Sequence, residues 1–392
     1  MEENGQRREG KKKCPKCGCE EKLKNQGLRK RTIQTGRTGS IEIQRTYYTC
    51  VNRNCDYTEF PLDRILGISP NSAGGKFEEK ICWLAAHAPF ERVKEFFKDI
   101  EGLEVDEEVI RVVSENCGHA LLKKEEESPV ENNTELTTAT LYVEVDGSMV
   151  PICGEEGEKN HVEYRENKLA LLFREEDIKY NKDRTRRDIT EKRYVTSLGQ
   201  GVEHFENLTK KKTCLYRAEK VIYVTDGAEW IDQMRLRLHP DSIHILDWYH
   251  AEEHLWNCGK SIFGEKEELK VKEFVAPLKD LLWNGRVLDV CATLLNLIKE
   301  YPKKETEIRN LYSYYHTRQN KMHYDEFRKL GYFIGSGAVE SANKYLVQQR
   351  LKQAGMKWLI KGAHSILKLR EKIYEGSWSH VWSNRHLNFS YE

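Results

Sequence analysis

The run KVIYVTDG, Lys220–Gly227, constrains the fold more than any other stretch of the chain. After the lysine it is nearly all apolar, so as a strand it has to be covered on both faces. It ends in Asp-Gly and runs into AEWIDQMRLRL, which has helical spacing. LYVEVDGSMVPI, residues 141–152, repeats the apolar-run-then-Asp-Gly pattern. KLALLFRE and RYVTSL read as two further strands, GVEHFENLTKKK as a helix, and SIHILDWYH as a strand entering a helix. The order is three strands, helix, strand, helix, strand, helix. That order predicts an α/β fold with one sheet between helical layers. Residues 256–330 are polar and helical, and read as an insertion before the last segment of the core.

Charge divides the rest of the chain. Net charge is only +1, but residues 1–46 carry thirteen Lys and Arg against six acids. Residues 99–135 carry twelve acids against three bases, and residues 341–372 eight bases against one acid. Two basic ends around an acidic stretch point to a polyanion met by separate modules. The opening MEENGQRREGKKK has no apolar core, so no secretory signal is expected, and no run is long and apolar enough for a membrane span. Eleven cysteines, mostly single and in apolar surroundings, fit buried thiols in a reducing cytoplasm rather than a disulfide framework.

Four of those cysteines are paired. Cys14 and Cys17 form CPKC, and Cys50 and Cys55 close the run CVNRNC. Two close pairs separated by a β-rich spacer suit a tetrahedral thiolate zinc site, which would stabilise a segment too polar to fold on its own core. Cys19 is an alternate ligand. The flanking bases KKK, Lys16 and LRKR are placed to meet phosphates, or to form a solvated face. We expect a zinc ribbon over 1–65 that binds DNA. A helical domain follows over 66–122, with EGLEV as the turn of a helix-turn-helix-like pair. Its second helix is acidic and ill suited to a DNA groove. Residues 123–138 are polar and read as a linker; 139–255 is the first part of the core, 256–330 the insertion, and 331–392 the final helix and C-terminal part of the core.

Three carboxylates stand out. Asp146 and Asp226 each end an apolar strand and precede glycine, which leaves the carboxylate at the sheet edge. Glu340 opens a helix in IGSGAVESANKYLVQQRLK, residues 334–352. One Asp-Gly alone is most simply a turn. Two on strand ends plus a distant glutamate can hold two divalent ions, and oxygen ligands suit Mg²⁺ or Mn²⁺. Lys344, Arg350 and Lys352 follow Glu340 along a basic helix that could lie on DNA phosphates. In ILDWYHAEEHLWNC, Asp247 is placed to cap a helix, or with His250 to support the metal site. His250, His254 and Cys258 share a helix face, so a second zinc site is an alternative there.

VEVDGSMVPI, YVTDGAEWI, ILDWYHAEEHLW and IGSGAVESANKYLVQQRLKQAGMKW together resemble the signature blocks of the IS-Kra-type insertion-sequence transposases. These are bacterial and archaeal Asp-Asp-Glu enzymes related to the Mutator-like group. RTYYTC and PLDRILGI resemble the same family's cysteine-rich head. The resemblance implies an RNase H-like mixed sheet with a helical insertion, preceded by the zinc ribbon and helical domain. It implies Asp146, Asp226 and Glu340 as the catalytic triad, with Asp247 and His250 matching a D-x-x-H element. The family's Trp-Arg-Glu-Val-Lys is replaced here by YRENK at 164–168. The implied activity is two-metal DNA cleavage and strand transfer at terminal inverted repeats, by a homo-oligomer on DNA, in the cytoplasm at the nucleoid. A structure-selective nuclease, or a transposase-derived zinc protein that binds DNA without chemistry, would share many of these residues.

Overall fold

The computed structural model describes residues 13–20, 23–36, 39–66, 68, 73–130, 136–153, 162–180, 182 and 187–385. The bases at 7–12 and residues 131–135 of the expected linker lie outside them. The chain forms two compact units, 1–127 with 358–392, and 128–357. Among the described residues no helix is long and apolar enough to cross a membrane.

The first unit opens with an antiparallel sheet of β1 (Lys24–Gln34), β2 (Ser40–Thr49) and the short β3 (Thr58–Glu59). The cysteine pairs flank these strands. Many of the surrounding bases are paired: Lys16 with Asp56 at 2.6 Å, Lys30 with Glu42 at 2.8 Å, Arg31 with Asp63 at 2.8 Å. Helices α1 (Pro61–Leu66), α2 (Gly75–His87), α3 (Phe90–Asp99) and α4 (Glu107–Glu127) follow. The residues expected to begin a linker at 123 instead extend α4, because Leu121 and Leu122 are buried and KKEEE continues as good helix-forming sequence.

The second unit is built on a mixed five-stranded sheet. Its strands are β4 (Leu136–Cys153), β5 (Val162–Arg174), β8 (Arg193–Leu198), β9 (Tyr216–Thr225) and β10 (Ile243–Leu246), with β6 (Ile178–Tyr180) and β7 (Arg187–Ile189) forming a separate small hairpin. The order across the sheet is β10-β9-β4-β5-β8. β4, β5 and β8 are antiparallel neighbours, whereas β9 and β10 run parallel to β4. Helices α5 (Val202–Thr213) and α6 (Glu229–Leu238) cover one face. There Leu141, Val143, Val145, Leu172, Phe205 and Met234 form a continuous apolar core. Alternation along β4 sends Tyr142, Glu144 and Asp146 to the other face. That face carries Phe173 stacked on Tyr142, with Phe333 against both rings.

After β10 the chain is helical: α7 (Trp248–Phe263), α8 (Glu268–Trp283), α9 (Val287–Glu300), α10 (Glu305–Arg318) and α11 (Tyr324–Lys329). It then returns to the sheet as α12 (Gly337–Ala342), a stretch of π-helix at Asn343–Gln348, and the single turn α13 (Gln349–Leu351).

The segment expected to finish the core divides at 357. Helix α14 (Ile360–Tyr374) and α15 (Trp378–Ser383) belong to the first unit. α14 packs on α4, with Ala363, Ile366, Leu367 and Leu369 buried. The two helices approach so closely that a Cβ at Gly118 would sit 2.1 Å from the Ser365 carbonyl oxygen. Lys368 is buried between Glu125 at 2.8 Å and Glu371 at 2.9 Å. Four of the eight bases counted over 341–372, Lys361, Lys368, Arg370 and Lys372, therefore lie on α14 and not along the helix that follows Glu340. Helix α4, the acidic second helix of the expected helix-turn-helix, is occupied by packing along this seam.

Candidate functional site

In the first unit, Cys14, Cys17, Cys50 and Cys55 bring their sulfur atoms within 4.8 Å of one another. Cys14–Cys55 is 3.8 Å and Cys17–Cys50 is 3.6 Å. A tetrahedral site with Zn–S of about 2.3 Å has S···S edges of about 3.8 Å, so four cysteines in this arrangement could bind zinc. Two tight backbone turns make the geometry. The Gly18 N–H donates to the Cys14 carbonyl at 2.9 Å, with Gly18 at φ 71°, and the Cys55 N–H donates to the Asn52 carbonyl at 3.0 Å. The Asn52 N–H also points at the Cys50 sulfur, 3.4 Å away. The Cys19 N–H holds the Cys17 thiol down at about 7. Cys19 stays outside the quartet.

The carboxylates lie in the second unit. Asp146 does not end its strand. The antiparallel ladder between β4 and β5 continues seven residues further, to Cys153 opposite Val162. What ends is β9, whose last pair with β4 is Thr225 opposite Val145. The edge at Asp146 is made by a neighbour stopping, so the sequence signal was correct about an edge and wrong about which strand terminates. Asp226 follows the end of β9, and Gly227, at φ 83°, makes the turn. The Asp226 carboxylate accepts the Ala228 N–H at 2.9 Å.

Glu340 sits in α12, carried by a loop that two buried carboxylates hold. Asp247 caps α7, accepting the His250 N–H at 2.9 Å, and its other oxygen accepts both the N–H and the hydroxyl of Ser336. Glu144 accepts the Val339 N–H at 2.8 Å. Burial pushes Glu144 up to about 8; the Val339 bond opposes this, while Asp247 and Glu340 add to it.

Asp146 lines two cavities. One, of about 470 Å³, also holds Glu340, His250, Asn343 and Lys344; the other, of about 180 Å³, holds Asp226, Glu166 and Trp230. Burial raises the Asp146 carboxyl from its ordinary value, and nearby Asp226 adds to that against the pull of the Asn343 and Gly147 donors. Burial also raises Glu340, with Asp247 and Asp146 adding and His250 and Lys344 opposing. The three carboxylates face one another electrostatically, yet they do not close to the 4.8 Å spacing of the thiols. Each aspartate is held by local donors instead. Asp146 accepts Gly147 N–H at 2.7 Å and the Asn343 side-chain amide, which is itself oriented by the Ser148 hydroxyl at 3.0 Å.

The basic residues fare differently from one another. Lys344 is exposed and shares the Glu340 cavity, and Lys352 is exposed. Arg350 is fully buried, contrary to a DNA-facing role. The π-helix gives 343–348 a wider turn than the α-helical count assumes, and α13 ends at Leu351, so no straight basic helix continues from Glu340. His254 and Cys258 do not join a metal group among the described residues: His254 stacks on Tyr314, 3.9 Å between ring centroids, and Cys258 is buried.

Sequence reasoning missed Glu144 and Asn343. Both had a signal. Glu144 is two residues before Asp146, so strand alternation puts it on the same face; Asn343 is three residues after Glu340, on the same helical side.

No curated protein sequence matches the chain. Among solved structures, the Drosophila P element transposase strand transfer complex is similar at 10% identity over 81% of this chain and 82% of that one, with a TM-score of 0.29. The family model for the uncharacterised protein family UPF0236 matches residues 19–385, and the chain belongs to that family.

Proposed function

We propose that this chain is the DDE transposase of a bacterial or archaeal insertion sequence of the IS-Kra type, with an RNase H-like core. The observation that carries the reading is Asp146 lining two cavities at once, one with Glu340 and one with Asp226. The sheet order supports it: three antiparallel strands followed by two parallel ones put Asp146 and Asp226 side by side where β9 stops.

The residues fit a pair of Mg²⁺ or Mn²⁺ ions. Asp146, Asp226 and Glu340 are the residues that would hold them. When bound, such ions polarise a phosphodiester and activate the attacking oxygen, water in cleavage and a DNA 3′-hydroxyl in joining. The chain's own groups set the stage for that chemistry. Asn343 fixes the orientation of Asp146. Asp247 and Glu144 act as positioning residues, clamping the loop that presents Glu340. His250 lies on the wall of the same cavity and is placed to meet the scissile phosphate. Lys344 offers a phosphate contact beside Glu340, and Lys352 a second one further out. The cysteine centre would hold structural zinc and present the N-terminal sheet to terminal repeats. Bringing two element ends together calls for more than one protomer, working in the cytoplasm at the nucleoid.

The test is a comparison of wild type and Glu340→Gln with Mg²⁺ or Mn²⁺ on DNA carrying the gene's own flanks, reading nicking and joining into a second plasmid. Both activities in wild type and neither in the variant is the expected result. Nicking without joining would replace the transposase with a nuclease. Binding without chemistry in both proteins would remove the active-site reading.

A further inference from the structure

The helical insertion is tied to the turn that presents Asp226. On α10, the Tyr314 hydroxyl donates to the Asp226 carbonyl at 3.2 Å. One helical turn further on, Arg318 donates twice to the Gly227 carbonyl, from Nε at 3.2 Å and from Nη2 at 3.1 Å. Its Nη1 is taken by the Tyr314 carbonyl and the Thr317 hydroxyl. All three guanidinium nitrogens are bonded within the protein, which suits Arg318 to hold a backbone and not to meet a phosphate.

Helix α10 is itself anchored on α7. The buried Tyr315 donates its hydroxyl to the Ala251 carbonyl at 2.7 Å. The Tyr314 ring lies 4.4 Å from the Arg318 guanidinium carbon and also stacks on His254, one helical turn after the His250 that lines the Glu340 cavity. Gly227 is shaped to this contact. Besides its φ of 83°, a Cβ there would lie 2.7 Å from Arg318 Nε and 2.6 Å from Leu246 Cδ1. The glycine after Asp226 therefore makes the turn and also admits the arginine.

The turn needs support from outside. Its own fastening uses the Asp226 carboxylate, which accepts the Ala228 N–H at 2.9 Å. A carboxylate drawn toward a metal holds that N–H less well, whereas bonds to the Asp226 and Gly227 carbonyls do not compete with a metal. We propose that Arg318 and Tyr314 are positioning residues, through which the insertion sets the metal affinity of Asp226. The inference rests on the metal-site reading above.

The test titrates the full chain with Mn²⁺, following the ion by electron paramagnetic resonance, in wild type and in Arg318→Ala, Arg318→Lys, Tyr314→Phe and Asp226→Asn. Arg318→Ala should weaken Mn²⁺ binding about tenfold, as loss of a partner that orients a ligand typically does. Removing a nearby cation would by itself tighten binding, so the sign separates positioning from simple charge. Arg318→Lys keeps the charge but cannot reproduce the two-donor fork, and should weaken binding by less. Tyr314→Phe keeps the ring stack and removes only the hydroxyl, for a loss of about threefold; it carries the test if Arg318→Ala fails to fold. A purely structural role would lower the melting temperature of these variants and leave the Mn²⁺ affinity of the folded protein alone. Wild-type binding that Asp226→Asn weakens and the α10 variants leave unchanged or tighten would overturn the proposal and spare the metal site. Binding unaffected by Asp226→Asn, or no binding at all, would remove the metal-site reading and the proposal with it.

Discussion

The two candidate metal centres of this chain are assembled in opposite ways. The four thiols are drawn together by a tight turn at each pair and by the β1–β2 pairing that joins the two ends, with sulfur spacings of 3.6 and 3.8 Å already at the edge length of a tetrahedral site. The three carboxylates come from β4, the end of β9 and α12, and they stay apart, the two aspartates each restrained by donors of their own. A neutral thiol loses little by approaching another. A carboxylate approaching others raises the cost of its own ionisation, an effect that adds to burial at Asp146 and Glu340. One is a candidate fastener for a small polar module, and the other a candidate site built on a large apolar core.

Breaking the fasteners should therefore have unequal consequences. Chelation of zinc, or Cys14→Ser, should unfold the N-terminal sheet, since structural zinc contributes on the order of 10 kcal/mol to modules of this kind. The carboxylate unit should keep its fold. Limited proteolysis checks this: cleavage confined to the first 60 or so residues is expected, and cleavage spread through 136–357 would put the fastener in the wrong place.

The complementary break is Asp146→Asn. Removing one charge from a crowded carboxylate set should raise thermal stability slightly at pH 7, because burial disfavours the ionised form in the fold. Strand cleavage should fall by about a thousandfold or more, equivalent to about 4 kcal/mol of barrier. A variant that loses activity and unfolds as well would mean that Asp146 is structural and that the two centres are alike.

Acid should discriminate them further. His244, on β10, bonds Thr225 at 2.8 Å and Asp232 at 3.0 Å, and so supports the strand end that presents Asp226. Burial, aided by Lys321 and against the pull of Asp232, lowers its pKa from 6.5 to about 3. The unfolded chain takes up that proton near 6.5 and the folded chain resists it. The contribution is thus complete above pH 6.5 and lost as pH falls toward 3, with a size of roughly 5 kcal/mol. Denaturation by urea from pH 7 to pH 4 should show the loss for wild type and a flatter profile for His244→Gln. An unchanged slope would remove His244 from the support of Asp226.

What could be read in advance follows the same division. Thiol pairs are local in sequence, so their meeting was legible from CPKC and CVNRNC. The strands were legible from apolar runs such as KVIYVTDG, whose burial needs no partner to be named. The positions of Asp146 and Arg350 depended on things outside their own segments: where β9 stops, and a π-turn between Glu340 and Leu351. The placement of α14 in the first unit depends on Gly118, more than 200 residues away, which periodicity in 358–392 cannot reveal.

The smallest effect sharpens the comparison most. Lys344 and Lys352 are exposed, and Arg350 is buried. If the basic segment meets DNA as the cavity geometry suggests, Lys344→Ala should weaken binding modestly for every sequence and reduce the slope of log affinity against log salt by about 1. Lys352→Ala should do the same or less. Arg350→Lys should leave that slope alone and act on stability, because its charge is spent inside the protein. A salt slope that changes for Arg350→Lys and not for Lys344→Ala would reverse the assignment and return the DNA contact to a continuous helix. That outcome would also demand that the π-turn unwind on binding, which hydrogen exchange at 343–348 with and without DNA would detect.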